Sequence, residues 1–178
     1  FFDEFDYYIT PSELIEFNYC KRFIYYMKCL NIPQFEEKRF KVQKGKEIHL
    51  KKENENKTYL RKKLGAIDKK INVDLYSQKY KIKGIVDEVL TLNDNTMAPL
   101  DYKFAKFDEV LYKTYKEQML MYALMIEEMY DCKVKKCFLV YTRSSNLVKE
   151  FDVKEKDISK LKKSIKEYFK VMEGFFPK

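Results

Sequence analysis

Two aspartates and one lysine on neighbouring predicted strands are the strongest candidates for chemistry in this sequence. Asp87 lies in the segment 84–89 (GIVDEV), and Asp101 precedes Lys103 by two positions in the segment 99–103 (PLDYK). Residues two apart on a strand share a face, so Asp101 and Lys103 point the same way. If the strands of Asp87 and Asp101 pair, two carboxylates converge beside one ammonium. Mg²⁺ and Mn²⁺ favour such oxygen ligands.

The chemistry that this site predicts is hydrolysis of a phosphodiester. The metal would polarise the phosphodiester and activate water, while Lys103 would orient that water or offset developing negative charge. The acid–x–Lys spacing alone is weak evidence, because surface triplets such as Asp152–Lys154 share it. Asp101 differs from them by its predicted strand, its Pro-Leu lead-in and the strand acid Asp87. A solvated sheet edge stays open as the alternative.

Three further polar residues belong to the candidate site on weaker grounds. His49 is the only histidine, and its imidazole would complete a Mn²⁺-compatible set with Asp87 and Asp101, although a surface histidine is the plainer interpretation. Gln118 and Tyr122 are four apart on a predicted helix and share a face. They line a groove for a nucleic-acid backbone, or else Tyr122 is core and Gln118 borders it.

The elements that must position these residues follow from periodicity and turn signals. Thr10, followed by Pro11 and an acidic first turn, predicts a helix that runs to about Lys28. The other predicted elements are a loosely patterned helix within 42–64, strands at 71–76, 79–90 and 97–104, a helix at 109–130, strands at 137–142 and 147–153, and a helix at 157–173. Gly174 then predicts a C-terminal cap. The order predicts one mixed α/β domain.

The composition is that of a folded, basic protein. Hydrophobic residues make up 46% and charged residues 36%, which excludes disordered and fibrous classes. Lys and Arg number 36 against 28 Asp and Glu, a net charge of +8 that favours nucleic acid over an anionic membrane as partner. No apolar run approaches the roughly 20 residues that cross a bilayer. Few, scattered cysteines argue against a secreted disulfide scaffold, so we predict a cytoplasmic protein.

A basic stretch around His49 supplies candidate phosphate contacts, of which Lys44 and Lys52 are selected as DNA-binding residues. The stretch comprises Lys44, Lys46, Lys51, Lys52, Arg61, Lys62 and Lys63. Exposed tyrosines among Tyr19, Tyr25 and Tyr26 would stack on unpaired bases.

Four segments resemble, in order, the RecB-like branch of the PD-(D/E)xK nucleases. They are 45–49 (GKEIH), 84–89 (GIVDEV), 101–103 (DYK) and 118–122 (QMLMY). Within that branch, the segment 19–26 (YCKRFIYY) is similar to the N-terminal cysteine motif of the CRISPR-associated Cas-four (Cas4) exonucleases. The resemblance implies one restriction-endonuclease-like α/β (α+β) domain over residues 1–178, with a central mixed sheet flanked by helices. Its parts would be an N-terminal helical segment at about 10–30, a nuclease core at about 42–153 and a C-terminal helix at about 157–173.

The resemblance also implies a role for each matching residue. The implied ligands of Mn²⁺ or Mg²⁺ are His49, Asp87, Asp101 and the main-chain carbonyl of Tyr102. Lys103 would be the catalytic lysine, and Gln118 and Tyr122 would lie beside the DNA. Such enzymes trim single-stranded DNA ends and, with the CRISPR integrase complex, process prespacers and select those with the correct flanking motif. Asp101 stands where this family commonly has Glu, and the shorter side chain changes the geometry available to the metal.

The family further implies a 4Fe-4S cluster bound by one N-terminal and three C-terminal cysteines. Cys20 matches the first. Cys29, Cys132 and Cys137 are poor substitutes for the others, because Cys137 lies in a buried-strand pattern and the spacing of the last two lacks the tight grouping of cluster ligands. We therefore expect no intact cluster from these residues alone.

Three alternatives to this nuclease stay open. The first is a catalytically silent DNA-binding or scaffold subunit of the adaptation complex, against which the presence of Asp87, Asp101 and Lys103 together argues. The second is a RecB-like nuclease of recombination or of a phage. The third, a basic lipid-surface module, predicts no converging acids. A homo-oligomer is compatible with each.

Overall fold

The computed structural model describes residues 7–33, 47 and 60–177. Three of the predicted site residues, Lys44, His49 and Lys52, lie outside them. Among the described helices, none is long and apolar enough to span a membrane.

The described part of the chain forms a five-stranded mixed sheet whose strands lie in sequence order. The strands are β1 (Ala66–Ser77), β2 (Ile82–Leu92), β3 (Met97–Lys103), β4 (Lys136–Tyr141) and β5 (Leu147–Asp152). Neighbouring strands are antiparallel except β3 and β4, which are parallel. A parallel pair needs a crossover, and the helix α3 (Lys113–Tyr130) provides it. The predicted α/β class with a mixed central sheet flanked by helices is confirmed.

Helices cover one face of the sheet, which we call the helix face. They are α1 (Pro11–Tyr19), the short α2 (Lys21–Ile24) with a π-helical turn at Tyr25–Cys29, α3, and α4 (Glu155–Met172). Buried side chains of α1, α3 and α4 form one core with Val86 and Val89 of β2. A second cluster occupies the opposite face, the back face, around Leu90, Leu100 and Phe138.

The structure corrects several predicted element boundaries. The N-terminal helix is interrupted at Cys20, whose backbone is extended (φ −151°, ψ 104°). The helix predicted from residue 109 begins only at Lys113, because Glu109 has φ 52° and Tyr112 is extended. The hairpin turn includes Lys81 at φ 51°, so β2 starts later than predicted. The predicted start at Thr10 is confirmed, with its side chain and that of Glu13 forming a capping box.

Candidate functional site

The strands β2 and β3 separate where Asp87 and Asp101 face each other. Their paired positions end at Glu88↔Leu100, and the same register continued by one residue sets Asp87 opposite Asp101. Asp87 Oδ2 instead accepts a hydrogen bond from the Tyr102 N–H at 2.7 Å. The Asp87 carboxylate thus replaces a main-chain carbonyl as the acceptor for this N–H. The structure brings the two predicted acids together where the strands separate, a place that we call the fork.

Lys103 lies against the second of these acids. Its Nζ is 2.6 Å from Asp101 Oδ2, and the two side chains are only 12% and 4% exposed. Lys103 Nζ also donates to Gln118 Oε1 of α3 and lies 4.9 Å from the ring centroid of Tyr115. The ammonium is therefore held by a carboxylate, an amide and an aromatic face in a largely desolvated position.

A hydrogen-bonded chain connects this ammonium to the main chain of β2. Gln118 Nε2 donates to the Tyr122 hydroxyl at 3.1 Å, and that hydroxyl donates to the Ile85 carbonyl at 2.8 Å. Gln118 and Tyr122 share a helix face because they are one turn apart. Tyr122 is thus a buried residue, as one interpretation predicted, and it is hydrogen-bonded to Gln118 of the candidate site.

The negative charges of both carboxylates act on the Tyr122 hydroxyl. Burial raises the pKa of Tyr122 far above its ordinary value, and the negative charges of Asp101 and Asp87 raise this pKa further. The phenol therefore stays neutral and keeps its proton for the Ile85 carbonyl. Gln118, which it orients, in turn accepts from Lys103.

Gly84 permits the close approach that brings α1 and α3 onto β2. A Cβ at this position would lie 3.1 Å from Pro11 Cδ and 3.2 Å from Tyr122 Cε1, closer than ordinary van der Waals contact. The chain before α1 is also fixed to β2, because the Ile9 N–H donates to the Lys81 carbonyl at 2.9 Å. The glycine of the GIVDEV segment is thus explained by packing.

A groove of about 620 Å³ opens beside Tyr122, between the start of α1 and the β1–β2 hairpin. Its wall includes Pro11, Tyr76, Lys83 and Ile85. Tyr76 and Ile85 are both more than half exposed. The site therefore continues into an open, partly apolar channel with basic character at Lys83.

The donor set at the fork fits a divalent metal ion with oxygen ligands. Among the described residues, the carboxylates of Asp87 and Asp101 face each other with the ammonium of Lys103 beside Asp101, and such oxygen ligands suit Mg²⁺ and Mn²⁺. The Tyr102 carbonyl belongs to the residue between Asp101 and Lys103, so it is a local candidate for a third oxygen. Across residues 7–33, 47 and 60–177, no group of three or more His, Cys, Asp or Glu side chains is placed to hold a metal. Asp87 and Asp101 thus supply two of the three predicted side-chain ligands, and His49 is outside the described residues.

The structure corrects the assignment of Arg61 to the DNA-contacting basic stretch. Arg61 is buried on the back face, where Nε and Nη2 donate to the two carboxylate oxygens of Glu88 at 3.0 and 3.3 Å. The Tyr102 hydroxyl donates to Glu88 Oε1 at 2.6 Å, and Lys69 Nζ lies 4.0 Å from the same oxygen. Burial opposes the charge of Arg61, but the Glu88 pair raises its pKa above the ordinary value. We call Arg61, Glu88 and Tyr102 the back-face triad.

Sequence reasoning missed this triad because nothing along the chain joins Arg61 to Glu88. A partial signal was present: Glu88 follows Asp87 on a strand, so one of the two acids had to face away from the site. Tyr115, which contacts Lys103, was also missed, although it lies one helical turn before Gln118 and Met119.

The cysteines are dispersed over the described structure. Cys20 is exposed at the end of α1, whereas Cys29 donates to the Val171 carbonyl. Cys137 is buried in β4, where burial strongly raises the pKa of its thiol, and Cys132 is partly buried before that strand. These thiols do not fit a four-cysteine cluster, because no three metal-ligating side chains of the described residues converge. Of the predicted stacking residues, Tyr19 is 91% exposed and Tyr26 is 41% exposed.

Comparison with known proteins points to one family. The chain is 30% identical over 167 residues to the CRISPR-associated exonuclease Cas4 of Francisella tularensis subsp. novicida, an alignment that covers 92% of this chain and 81% of that protein. No protein-family model matches the chain.

Solved structures share the fold. A "putative exonuclease" from Eubacterium rectale superposes with a TM-score of 0.59 at 13% identity, over 94% of this chain and 82% of that one. The crystal structure of SSO0001 superposes with a TM-score of 0.56 at 16% identity, over 94% of this chain and 78% of that one. Identities this low establish the common architecture alone.

Proposed function

Because this chain belongs to the CRISPR-associated exonuclease Cas4 family, a family of nucleases, we propose that it is a metal-dependent deoxyribonuclease that trims single-stranded DNA ends. The observation that carries the proposal is the fork, where Asp87 and Asp101 face each other. Lys103, 2.6 Å from Asp101, completes the set of groups that phosphodiester hydrolysis needs.

The proposed metal ligands are the side chains of His49, Asp87 and Asp101 with the carbonyl of Tyr102. When bound, Mn²⁺ or Mg²⁺ would supply Lewis-acid polarisation of a phosphoryl oxygen and lower the pKa of a water molecule. Asp87 is oriented for this by the Tyr102 N–H, so its carboxylate is fixed to the strand that carries the second acid.

The remaining residues hold and balance charge. Lys103 presents an ammonium beside Asp101, where it offsets the negative charge that grows on the phosphate during attack by water. Gln118 accepts a hydrogen bond from this ammonium, and Tyr122 orients Gln118. Lys44 and Lys52 are proposed to contact DNA phosphates, and Gln118 and Tyr122 to border the DNA path.

We further propose that the protein acts in CRISPR adaptation, beside the integrase complex, and processes prespacers so that those with the correct flanking motif are selected. The support is the similarity to a CRISPR-associated exonuclease over most of both chains. A cytoplasmic location and a homo-oligomer remain predictions. Cys20 remains the candidate iron ligand, and no step of the proposed reaction depends on an iron–sulfur cluster.

The test is cleavage of end-labelled single-stranded DNA with Mn²⁺, with Mg²⁺ and with EDTA. We expect metal-dependent cleavage that Asp101→Ala abolishes. Asp152→Ala is the matched control, because Asp152–Lys154 repeats the spacing on the exposed end of β5. Tight, salt-sensitive binding without cleavage would favour the scaffold subunit instead. Equal loss in both variants would contradict the assigned site.

A further inference from the structure

Asn72 adopts a left-handed backbone conformation in the middle of β1, directly opposite Asp87. Its φ is 50°, although β1 pairs with β2 on both sides of it, at Ile71↔Glu88 and Val73↔Val86. The same register therefore sets Asn72 across from Asp87. Left-handed residues are uncommon within strands, and among non-glycine residues Asn tolerates the conformation best.

The alternation of side chains along β2 breaks at this same position. Ile82 and Val86 both belong to the helix-face core, as expected because alternate residues of a strand share a face. Glu88 and Leu90, the next even-numbered residues, instead lie on the back face, and Val89 takes the helix face. The faces have therefore exchanged between Val86 and Glu88.

The neighbouring strand shows the same exchange around Asn72. Val73 and Leu75 pack with the helix-face core. Lys69, another odd-numbered residue, places its ammonium 4.0 Å from Glu88 on the back face. Both strands therefore switch faces across the Asn72 and Asp87 pair while their register stays constant.

This exchange decides where Asp87 points. Strict alternation from Val86 would turn Asp87 away from the helix face, on which Lys103 contacts Gln118. With the exchange, Asp87 reaches the Tyr102 N–H and its charge acts on Tyr122 of α3. We propose that Asn72 is a positioning residue, whose left-handed conformation turns the Asp87 carboxylate into the site. The catalytic part of this inference depends on the proposed nuclease function, whereas the structural part does not.

Three variants separate conformation from other effects of substitution. Asn72 is exposed, so replacing its side chain removes no buried packing. Asn72→Gly keeps the left-handed conformation accessible, whereas Asn72→Val opposes it because of its branched Cβ. Asn95→Val is the matched control, since Asn95 also has a positive φ (60°) but lies in the turn between β2 and β3. Should Asn72→Val fail to fold, Asn72→Ala applies a milder form of the same constraint.

The structural measurement is amide hydrogen exchange of Tyr102, whose N–H is bonded to Asp87. We expect Asn72→Val to speed this exchange at least about tenfold relative to amides elsewhere in β3, while Asn72→Gly and Asn95→Val stay within about threefold of wild type. Calorimetry with Mn²⁺ should show a Kd raised by about 10- to 100-fold in Asn72→Val alone, with cleavage falling in parallel.

The two hypotheses fail in different ways. Unchanged Tyr102 exchange in Asn72→Val, or the same change in Asn72→Gly, would overturn the positioning role whatever the enzyme does. Absence of Mn²⁺ binding and cleavage in the wild type would overturn the proposed function, and the exchange measurement would still decide the role of Asn72.

Discussion

The two faces of the β2–β3 fork carry the same kinds of side chain, but the carboxylates on the two faces have different partners. On the helix face, Asp87 and Asp101 face each other, and the ammonium of Lys103 lies 2.6 Å from Asp101. On the back face, the single carboxylate of Glu88 receives two guanidinium bonds and a tyrosine hydroxyl. The residues on the two faces are sequence neighbours, since Glu88 follows Asp87 directly.

The difference is one of charge balance. The back-face triad satisfies its carboxylate fully, and a satisfied buried ion pair contributes a fixed structure. Among the described contacts at the fork, Lys103 is paired with Asp101 and Asp87 accepts from a main-chain N–H, and a divalent cation would bind both carboxylates. Asp87 and Glu88, adjacent on one strand, thus have different partners: Glu88 pairs with Arg61, whereas Asp87 faces Asp101.

Removing an acid from the helix face should give the largest effect. We expect Asp87→Asn to lower single-stranded DNA cleavage at least about 10³-fold, because loss of a metal ligand removes several kcal/mol of transition-state stabilisation. Thermal unfolding should stay near that of the wild type. Asp68→Asn, an exposed acid of β1 within another acid–x–Lys triplet, is the control and should keep its activity. Activity retained in Asp87→Asn would contradict the comparison between the two faces.

Removing the acid from the back face should instead reduce stability. Glu88→Gln leaves the buried guanidinium of Arg61 without its counter-charge, which we expect to lower the free energy of unfolding by about 3 kcal/mol. Urea denaturation measures this. Glu150→Gln, which breaks the exposed pair with Lys136, should change it by less than about 0.5 kcal/mol. Equal effects of the two variants would mean that the triad is not structural.

Loss of the Tyr122 hydroxyl should give a smaller effect on the helix face. Tyr122→Phe removes the hydrogen bonds to Gln118 and to the Ile85 carbonyl, so Lys103 is held less firmly. We expect kcat to fall about tenfold, in keeping with about 1 kcal/mol for one such bond. Tyr130→Phe on the same helix is the control. A fall in stability without any fall in kcat would assign Tyr122 to the core alone.

Glu13 lies away from the fork, and its replacement should have the smallest effect of all. That effect is on stability, and it depends on pH. Burial raises the pKa of Glu13, but hydrogen bonds from Lys28, Tyr7 and the Thr10 N–H outweigh it, so the pKa lies below its ordinary 4.5. Glu13 therefore stabilises the fold above about pH 4.5, and this contribution is lost as the pH falls through the lowered value.

Urea denaturation of the wild type and of Glu13→Gln at pH 6 and at pH 3 tests this sign. The difference between the two proteins should be smaller at pH 3 than at pH 6. A difference that grows toward low pH would mean that the pKa of Glu13 is raised in the folded protein.

Much of the fold was predictable because the signals are local. Thr10 with Pro11 and Glu13 sets the start of α1, and alternating strands and the apolar stripe of α3 follow from periodicity. The break at Cys20 and the late start of α3 were not predictable, because neither Cys20 nor Glu109 is a residue type that usually ends or delays a helix. Here the surrounding packing decides the backbone conformation.

The sequence by itself determined that Asp101 and Lys103 share a strand face and that Gln118 and Tyr122 share a helix face. Asp101 and Lys103 are two apart on a strand and Gln118 and Tyr122 four apart on a helix, and both pairs contact in the structure. Backbone geometry alone enforces these spacings.

Only the tertiary structure decided where Asp87 and Arg61 point. Asp87 turns into the site at a break in alternation that lies across from Asn72, on another strand. Arg61 is a buried ion-pair partner rather than a DNA contact because β2 presents Glu88 to it. Both outcomes depend on strand pairing between distant segments, and no periodicity within a single segment contains that information.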